Sequence, residues 1–313
     1  WIVLIALAPI IFVILFRKQK VQQQGNVKKV AFVHPDLGIG GAERLVVDAA
    51  VGLQSLGHSV TMYTSHHDPQ HCFEETRDGR LIVKVFGDFL PRSFLRKMHI
   101  LFATLRSLYL ALVILLTQPQ YDVLIVDQIS SSIPILRLTG SRIVFYCHFP
   151  DLALSDRKHL MKRLYRVVFD AVEEWTTLMA DDILVNSKFT ADTFKATFRS
   201  AGKIDPQVLY PCINLAAYDR PAVPPGDKSG TRTFLSINRF ERKKNVGLAI
   251  QALGLLGKQE AKLQAAGVEV KSVRLVVAGG YDGRVRENVE HLEELKAVAK
   301  ANGVKLGMKL TWS

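Results

Sequence analysis

The stretch Lys29–Val47, KVAFVHPDLGIGGAERLVV, decides the fold. A β-branched, apolar run, Val30–Val33, enters a turn containing Gly38, Gly40 and Gly41, and a helical pattern starts near Ala42. Glycine lets backbone N–H groups approach an anion closely, and a helix N-terminus adds a favourable dipole, so the turn suits a phosphate. Its spacing is not G-x-G-x-x-G. The next strand runs into Ser65, His66 and His67 instead of an acidic residue at its tip, so dinucleotide binding loses ground. A tight strand-to-helix turn with no ligand is the competing reading.

Outward from this unit the same grammar repeats. Short strands are predicted at Ser59–Tyr63, Leu81–Val85, Val123–Val126, Ile143–Tyr146, Ile183–Val185 and Val208–Tyr210. Helices are predicted at Ala42–Leu56, stopped by Gly57, over Met98–Leu116, over Asp156–Met179 and after Ser187. Alternation of this kind implies a doubly wound α/β fold with a mostly parallel sheet. At 220–231, RPAVPPGDKSGT carries three prolines and two glycines without periodicity and reads as an interdomain linker. The grammar restarts with strand Phe234–Ile237, helix Val246–Leu256, strand Val273–Ala278 and helix Arg284–Ala301. The expected organisation is a first Rossmann-like domain over 28–219, the linker, and over 232–313 the start of a second, nucleotide-side domain. With only two clear strands after the linker, that second domain reads as incomplete.

With 313 residues, 48% of them hydrophobic and 22% charged, the chain can bury the cores of roughly two domains. Its formal charge of +12 points to anionic partners. Nucleic acid is not among those expected, because no helix-turn-helix, zinc-finger or RNP-like signature accompanies the charge. Cys72, Cys147 and Cys212 form neither a metal nor a disulfide framework, which favours a reducing compartment.

Residues 1–20 read as a membrane anchor. Trp1–Phe16 is uncharged with twelve Ile, Val, Leu and Phe residues, and Arg17, Lys18 and Lys20 follow, which places the rest of the chain in the cytosol. A signal-peptide core is the alternative, but no small-residue cleavage pattern follows Phe16. Met98–Leu116 is also long enough to span, yet Arg106 at its middle opposes insertion by about 2.5–3.5 kcal/mol. That helix is either a packed core helix or one leaning on lipid with Arg92, Arg96, Lys97 and Arg106 near headgroups. Arg157, Lys158, Lys162, Arg163 and Arg166 likewise recur at roughly helical spacing, as a solvated cationic face or a headgroup contact.

Two further places carry chemistry. His148 follows strand Ile143–Tyr146 and can contact a sugar hydroxyl, with a purely structural histidine as the alternative. Asn238–Asn245, NRFERKKN, gathers Arg239, Arg242, Lys243 and Lys244 at a helix start, where the dipole disfavours positive charge unless an anion sits among them. A solvated charge run partly paired to Glu241 is the bland alternative. No Asp-x-Asp clamp is present, so a site without metal or other cofactor is expected.

Taken in order, GIGGAERLV at 38–46, YCHFPD at 146–151, ADDILVNSKFTADTF at 180–194, LYPCIN at 209–214 and NRFERKKN at 238–245 resemble the retaining GT-B glycosyltransferases of family 4 type, a class with many mannosyltransferases. The resemblance runs from about Lys28 to Ala301. It implies two Rossmann-like domains facing a cleft, GDP-mannose as donor and Man-GlcNAc2-diphosphate-dolichol as acceptor. It further implies α-1,3 then α-1,6 transfer on the cytosolic face of the endoplasmic reticulum membrane. Membrane lipid and other early mannosyltransferases of the same pathway are the partners it implies. By motif, Arg239 and Lys244 would hold the donor diphosphate and His148 would contact the transferred mannose. Gly40 and Gly41 would bring N–H groups near donor phosphates or acceptor, and Gly279 and Gly280 would line the nucleotide side. The acidic E-x7-E segment of that family does not follow Ala301, so a fragment without activity is also expected. The alternatives are a catalytically silent membrane-bound module that binds acceptor, and an NAD-dependent oxidoreductase.

Overall fold

A computed structural model describes residues 27–91, 98–154, 160–198, 200, 202, 204–212, 232–266, 273–281, 286–304 and 307–312. The expected anchor at 1–20, the linker at 220–231, and Arg92, Arg96, Lys97, Arg157 and Lys158 lie outside them. The chain divides into two compact units, Trp1–Ala216 and Ala217–Ser313.

In the first unit the elements run β1 (Lys29–His34), α1 (Gly41–Ser55), β2 (Ser59–Thr64), β3 (Ile82–Val85), α2 (His99–Thr117), β4 (Val123–Asp127), α3 (Ile133–Arg137), β5 (Arg142–Cys147), α4 (Asp151–Leu154), α5 (Leu160–Thr177), β6 (Asp182–Val185), α6 (Lys188–Thr197) and β7 (Gln207–Val208). The strands form one sheet in the order β3-β2-β1-β4-β5-β6-β7, and every pairing is parallel. The period of two along β1 builds both faces. Val30 and Phe32 join Val46, Val47, Ala50, Val60 and Met62 in one apolar cluster. Ala31 and Val33 join Leu110, Ile114, Leu124, Val126, Phe145 and Phe194 in another. Gly57, at φ 87°, ends α1 in the left-handed region and donates its N–H to Gln54 O.

Helix α2 is the apolar stretch with Arg106 at its middle, and one of its faces is core. Leu110, Ala111, Ile114 and Leu115 are buried, whereas Leu105, Tyr109, Leu112 and Leu116 are exposed. Of the two readings of this helix, the placement of Arg106 supports the packed one. Its side chain is 8% exposed, with Nη2 donating to Ser65 O at 2.7 Å and lying 3.5 Å from the Asp88 carboxylate. A buried guanidinium held by a carbonyl and a carboxylate of the protein fits a helix packed on the sheet. Arg166 departs from the expected solvated face in the same way, buried on α5 and paired with Asp170 at 2.8 Å.

The second unit comprises β8 (Arg232–Ile237), α7 (Val246–Ala265), β9 (Val273–Tyr281), α8 (Arg286–Ala301) and β10 (Gly307–Trp312). Its parallel sheet has the order β10-β9-β8. The third strand, β10, goes beyond the two read from sequence. Phe240, Val246, Ile250, Leu275, Val277, Leu292 and Leu295 form the core, while Phe234, Leu235 and Ile237 of β8 are exposed.

Candidate functional site

In the first unit three side chains meet at the carboxyl ends of central strands. β1 and β4 are neighbours where the strand order reverses, the place at which open α/β sheets hold ligands. Val33 pairs with Val126, so the next residues, His34 and Asp127, fall side by side. Tyr146 pairs with Asp127, so His148, two residues on, reaches the same point from β5. His34 Nδ1 lies 2.6 Å from Asp127 Oδ2, and His148 Nε2 lies within ion-pair distance, 2.8 Å, of Oδ1. The His34 and Asp127 side chains are 1% exposed and that of His148 is 22% exposed. Of these three side chains, His148 is the one open to solvent.

Burial alone would drive the proton from His34. The hydrogen bond and charge of Asp127, with Glu43 Oε1 3.9 Å from Nε2, outweigh it and lift the pKa to about 9. Burial would likewise raise the Asp127 pKa, but the two histidines hold it below the usual carboxylate range. At neutral pH the buried core of the site is thus an imidazolium against a carboxylate. Asn186 Nδ2 donates to His148 O at 2.9 Å and fixes the backbone that carries the half-buried ring.

Gly40 is the N-cap of α1, extended at φ −165°, and no side chain caps the first turn. A Cβ added at Gly41 would meet no atom within 4 Å. The protein's own packing therefore does not demand glycine there, and the open space suits a ligand drawn close to the first amides of α1. Glu43 in that turn is a like charge for an anion, and it stays ionised because His34 outweighs its burial and lowers its pKa.

In the second unit Arg239, Lys244 and Gly279 line one pocket of about 460 Å³ with Ile237, Asn238, Glu241 and Lys243. The four cations of the loop are not equivalent. Arg242 turns to α8, 2.6 Å from Glu294 and 3.1 Å from Glu290. Lys243 sits 3.0 Å from Glu241, which lies 3.7 Å from Arg239. Lys244 makes no ion pair among the described residues. Phe240, 1% exposed and edge-on to Tyr281, anchors the loop so that its neighbours stay outside. Gly279 is a glycine for steric reasons: a Cβ there would lie 1.6 Å from Asn238 O. That close approach of β9 to the loop forms the pocket wall. Gly280 is next in β9, in register with Thr311 of β10.

Of the residues singled out from sequence, His148 stands in the first cluster, Gly40 and Gly41 at the start of α1, and Arg239, Lys244 and Gly279 in the second pocket. His34, Glu43 and Asp127 were missed. The signal for His34 and Asp127 is faint: one polar residue ending each of the apolar runs VAFVH and VLIVD. Among the described residues no group of three or more His, Cys, Asp or Glu is placed to hold a metal ion.

The chain is 48% identical over 295 residues to the Homo sapiens protein named alpha-1,3/1,6-mannosyltransferase ALG2, covering 90% of this chain and 68% of that one. Proteins of the same name are 51% identical in Debaryomyces hansenii, covering 90% of this chain and 61% of that one, and 48% identical in Saccharomyces cerevisiae, covering 87% and 54%. The chain thus spans between half and two thirds of the length of these fungal relatives. Among solved structures, the fold matches sucrose-phosphate synthase from Thermosynechococcus elongatus with TM-score 0.58, 15% identity and coverage of 91% of this chain and 70% of that one. It matches a trehalose-6-phosphate synthase with TM-score 0.60, 13% identity and coverage of 91% and 73%. These likenesses show the α/β fold of GT-B glycosyltransferases. The sequence pattern of Glycosyltransferase Family 4 matches residues 39–217, and the chain belongs to that family.

Proposed function

We propose that the protein is a mannosyltransferase moving mannose from GDP-mannose to Man-GlcNAc2-diphosphate-dolichol, first in α-1,3 and then in α-1,6 linkage, with retention. The observation that carries this reading is about 50% identity, over most of the chain, to relatives named alpha-1,3/1,6-mannosyltransferase. Arg239 and Lys244 hold the donor diphosphate and stabilise charge as GDP departs. His148 contacts the transferred mannose, and Gly40 and Gly41 present N–H groups to a phosphate of donor or acceptor. Gly279 and Gly280 belong to the nucleotide side of a second domain that follows a linker at 220–231. Residues 1–20 anchor the protein in the endoplasmic reticulum membrane with the catalytic part in the cytosol. There it meets its lipid-linked acceptor and other early mannosyltransferases of the pathway.

The test is transfer of radiolabelled mannose from GDP-mannose to a Man-GlcNAc2-diphosphate-lipid by the intact protein. Labelled products of one and then two added mannoses are expected, and no product sinks the proposal. Replacement of Gly41 by Ala separates ligand approach from folding. The added methyl meets no protein atom and alanine is the better helix former, so thermal stability holds. In steady-state assays kcat/KM falls by about tenfold, because the methyl keeps an anion from the amides.

A further inference from the structure

The loop that carries His148 is held at three points. The His148 ring touches Asp127 of β4, and its carbonyl accepts from Asn186, which follows β6. The third hold comes from a helix, where the Glu173 carboxylate on α5 accepts the N–H of Asp151 at 2.8 Å and of Leu152 at 3.0 Å. Helix α5 is itself tied to the end of the sheet, since Ser130 Oγ lies 2.8 Å from Thr176 Oγ1 and donates to the carbonyl of Glu173. We infer that Glu173 is a positioning residue for transfer: its two carboxylate oxygens clamp the amides of Asp151 and Leu152 and so set where the loop presents His148. The inference rests on the reading of His148 as a group that meets the transferred sugar.

The choice of a carboxylate is informative, because it is a costly way to hold two amides. Glu173 lines a cavity of about 210 Å³ with Phe169, Val172 and Ile129, and a second carboxyl, Asp151, lines it too. Burial first and Asp151 second push the Glu173 pKa up to about 7. Among the described residues the other charged or titratable groups around it are Arg166 on α5, paired with Asp170, Cys147 at the end of β5, and His99 on α2. As a carboxylate Glu173 accepts both amides. On protonation one oxygen becomes a donor and faces an N–H, so the clamp opens as pH falls through about 7.

Two variants of the intact protein test this. Glu173→Ala lowers kcat by about tenfold at pH 8 with the donor KM held within about twofold, since the diphosphate grip proposed for Arg239 and Lys244 is left in place. It also speeds hydrogen exchange at the amides of Asp151 and Leu152 by about tenfold or more. Glu173→Gln keeps the shape and one acceptor oxygen. It recovers part of kcat and removes the decline in kcat that the unsubstituted protein shows from pH 8 to pH 6. Unchanged exchange at the two amides overturns the inference, as does faster exchange with kcat unaltered. A low-pH limb that survives in Glu173→Gln overturns it as well. The exchange measurement needs no substrate, so failure of the mannosyl-transfer reading shows in the unsubstituted protein and failure of the clamp shows in the variants.

Discussion

Replacing Arg239 or Lys244 with Ala lowers kcat/KM for GDP-mannose by about two powers of ten, and replacing both lowers it by little more than the worse single change. The size follows from what each cation is free to do. Lys244 has no ion pair among the described residues, and Arg239 stands 3.7 Å from a Glu241 that already pairs with Lys243 at 3.0 Å. Both keep most of their charge for a ligand. Two negative phosphates at this helix start relieve a like-charge crowding that the dipole of α7 makes worse. The non-additivity follows from the proposal that both side chains grip one diphosphate, in which case losing either misplaces it for the other. Arg242→Ala is the internal control. Its guanidinium is committed to Glu290 and Glu294 on α8, and it does not line the pocket, so kcat/KM stays within about threefold. Steady-state kinetics over a range of donor concentrations decides the matter. Full activity in both single variants removes the role assigned to the pair.

The contrast between these cations marks where sequence reading stops. NRFERKKN announces four positive charges at a helix start, and nothing in the string says that Arg242 turns away to glutamates some fifty positions later. The strands of the first sheet were legible because their period of two and their β-branched content are local properties. The strand order was not, and it is the order that makes the first cluster. His34 and Asp127 lie 93 positions apart and meet because β4 inserts beside β1 at the switch point. From sequence each is one polar residue closing an apolar run, and His148 could be singled out only because HFPD breaks its strand so visibly. Arg106 shows the same limit from the other side. Its cost in lipid could be reckoned from position alone, whereas its acceptors, Ser65 O and the Asp88 carboxylate, come from another edge of the fold.

The bridging carboxylate makes the second large effect, Asp127→Asn, visible as a change in how stability depends on pH. The His34 pKa rises from 6.5 in the unfolded chain to about 9 in the folded one. Its contribution is therefore fully present below pH 6.5 and is lost as pH climbs through 9. A shift of this size corresponds to about 3 kcal/mol. Asparagine preserves the shape and can still accept from the ring, but it brings no charge, so burial becomes the dominant influence and the folded protein prefers a neutral imidazole. The variant is then less stable than the unsubstituted protein by about 3 kcal/mol near pH 6.5, and the gap narrows toward pH 9.5, where both hold His34 neutral. Urea unfolding at several pH values between these limits measures the gap directly. A constant deficit across the range means that Asp127 contributes packing and hydrogen bonding alone, and the charged His34–Asp127 pair is then the wrong description of the site.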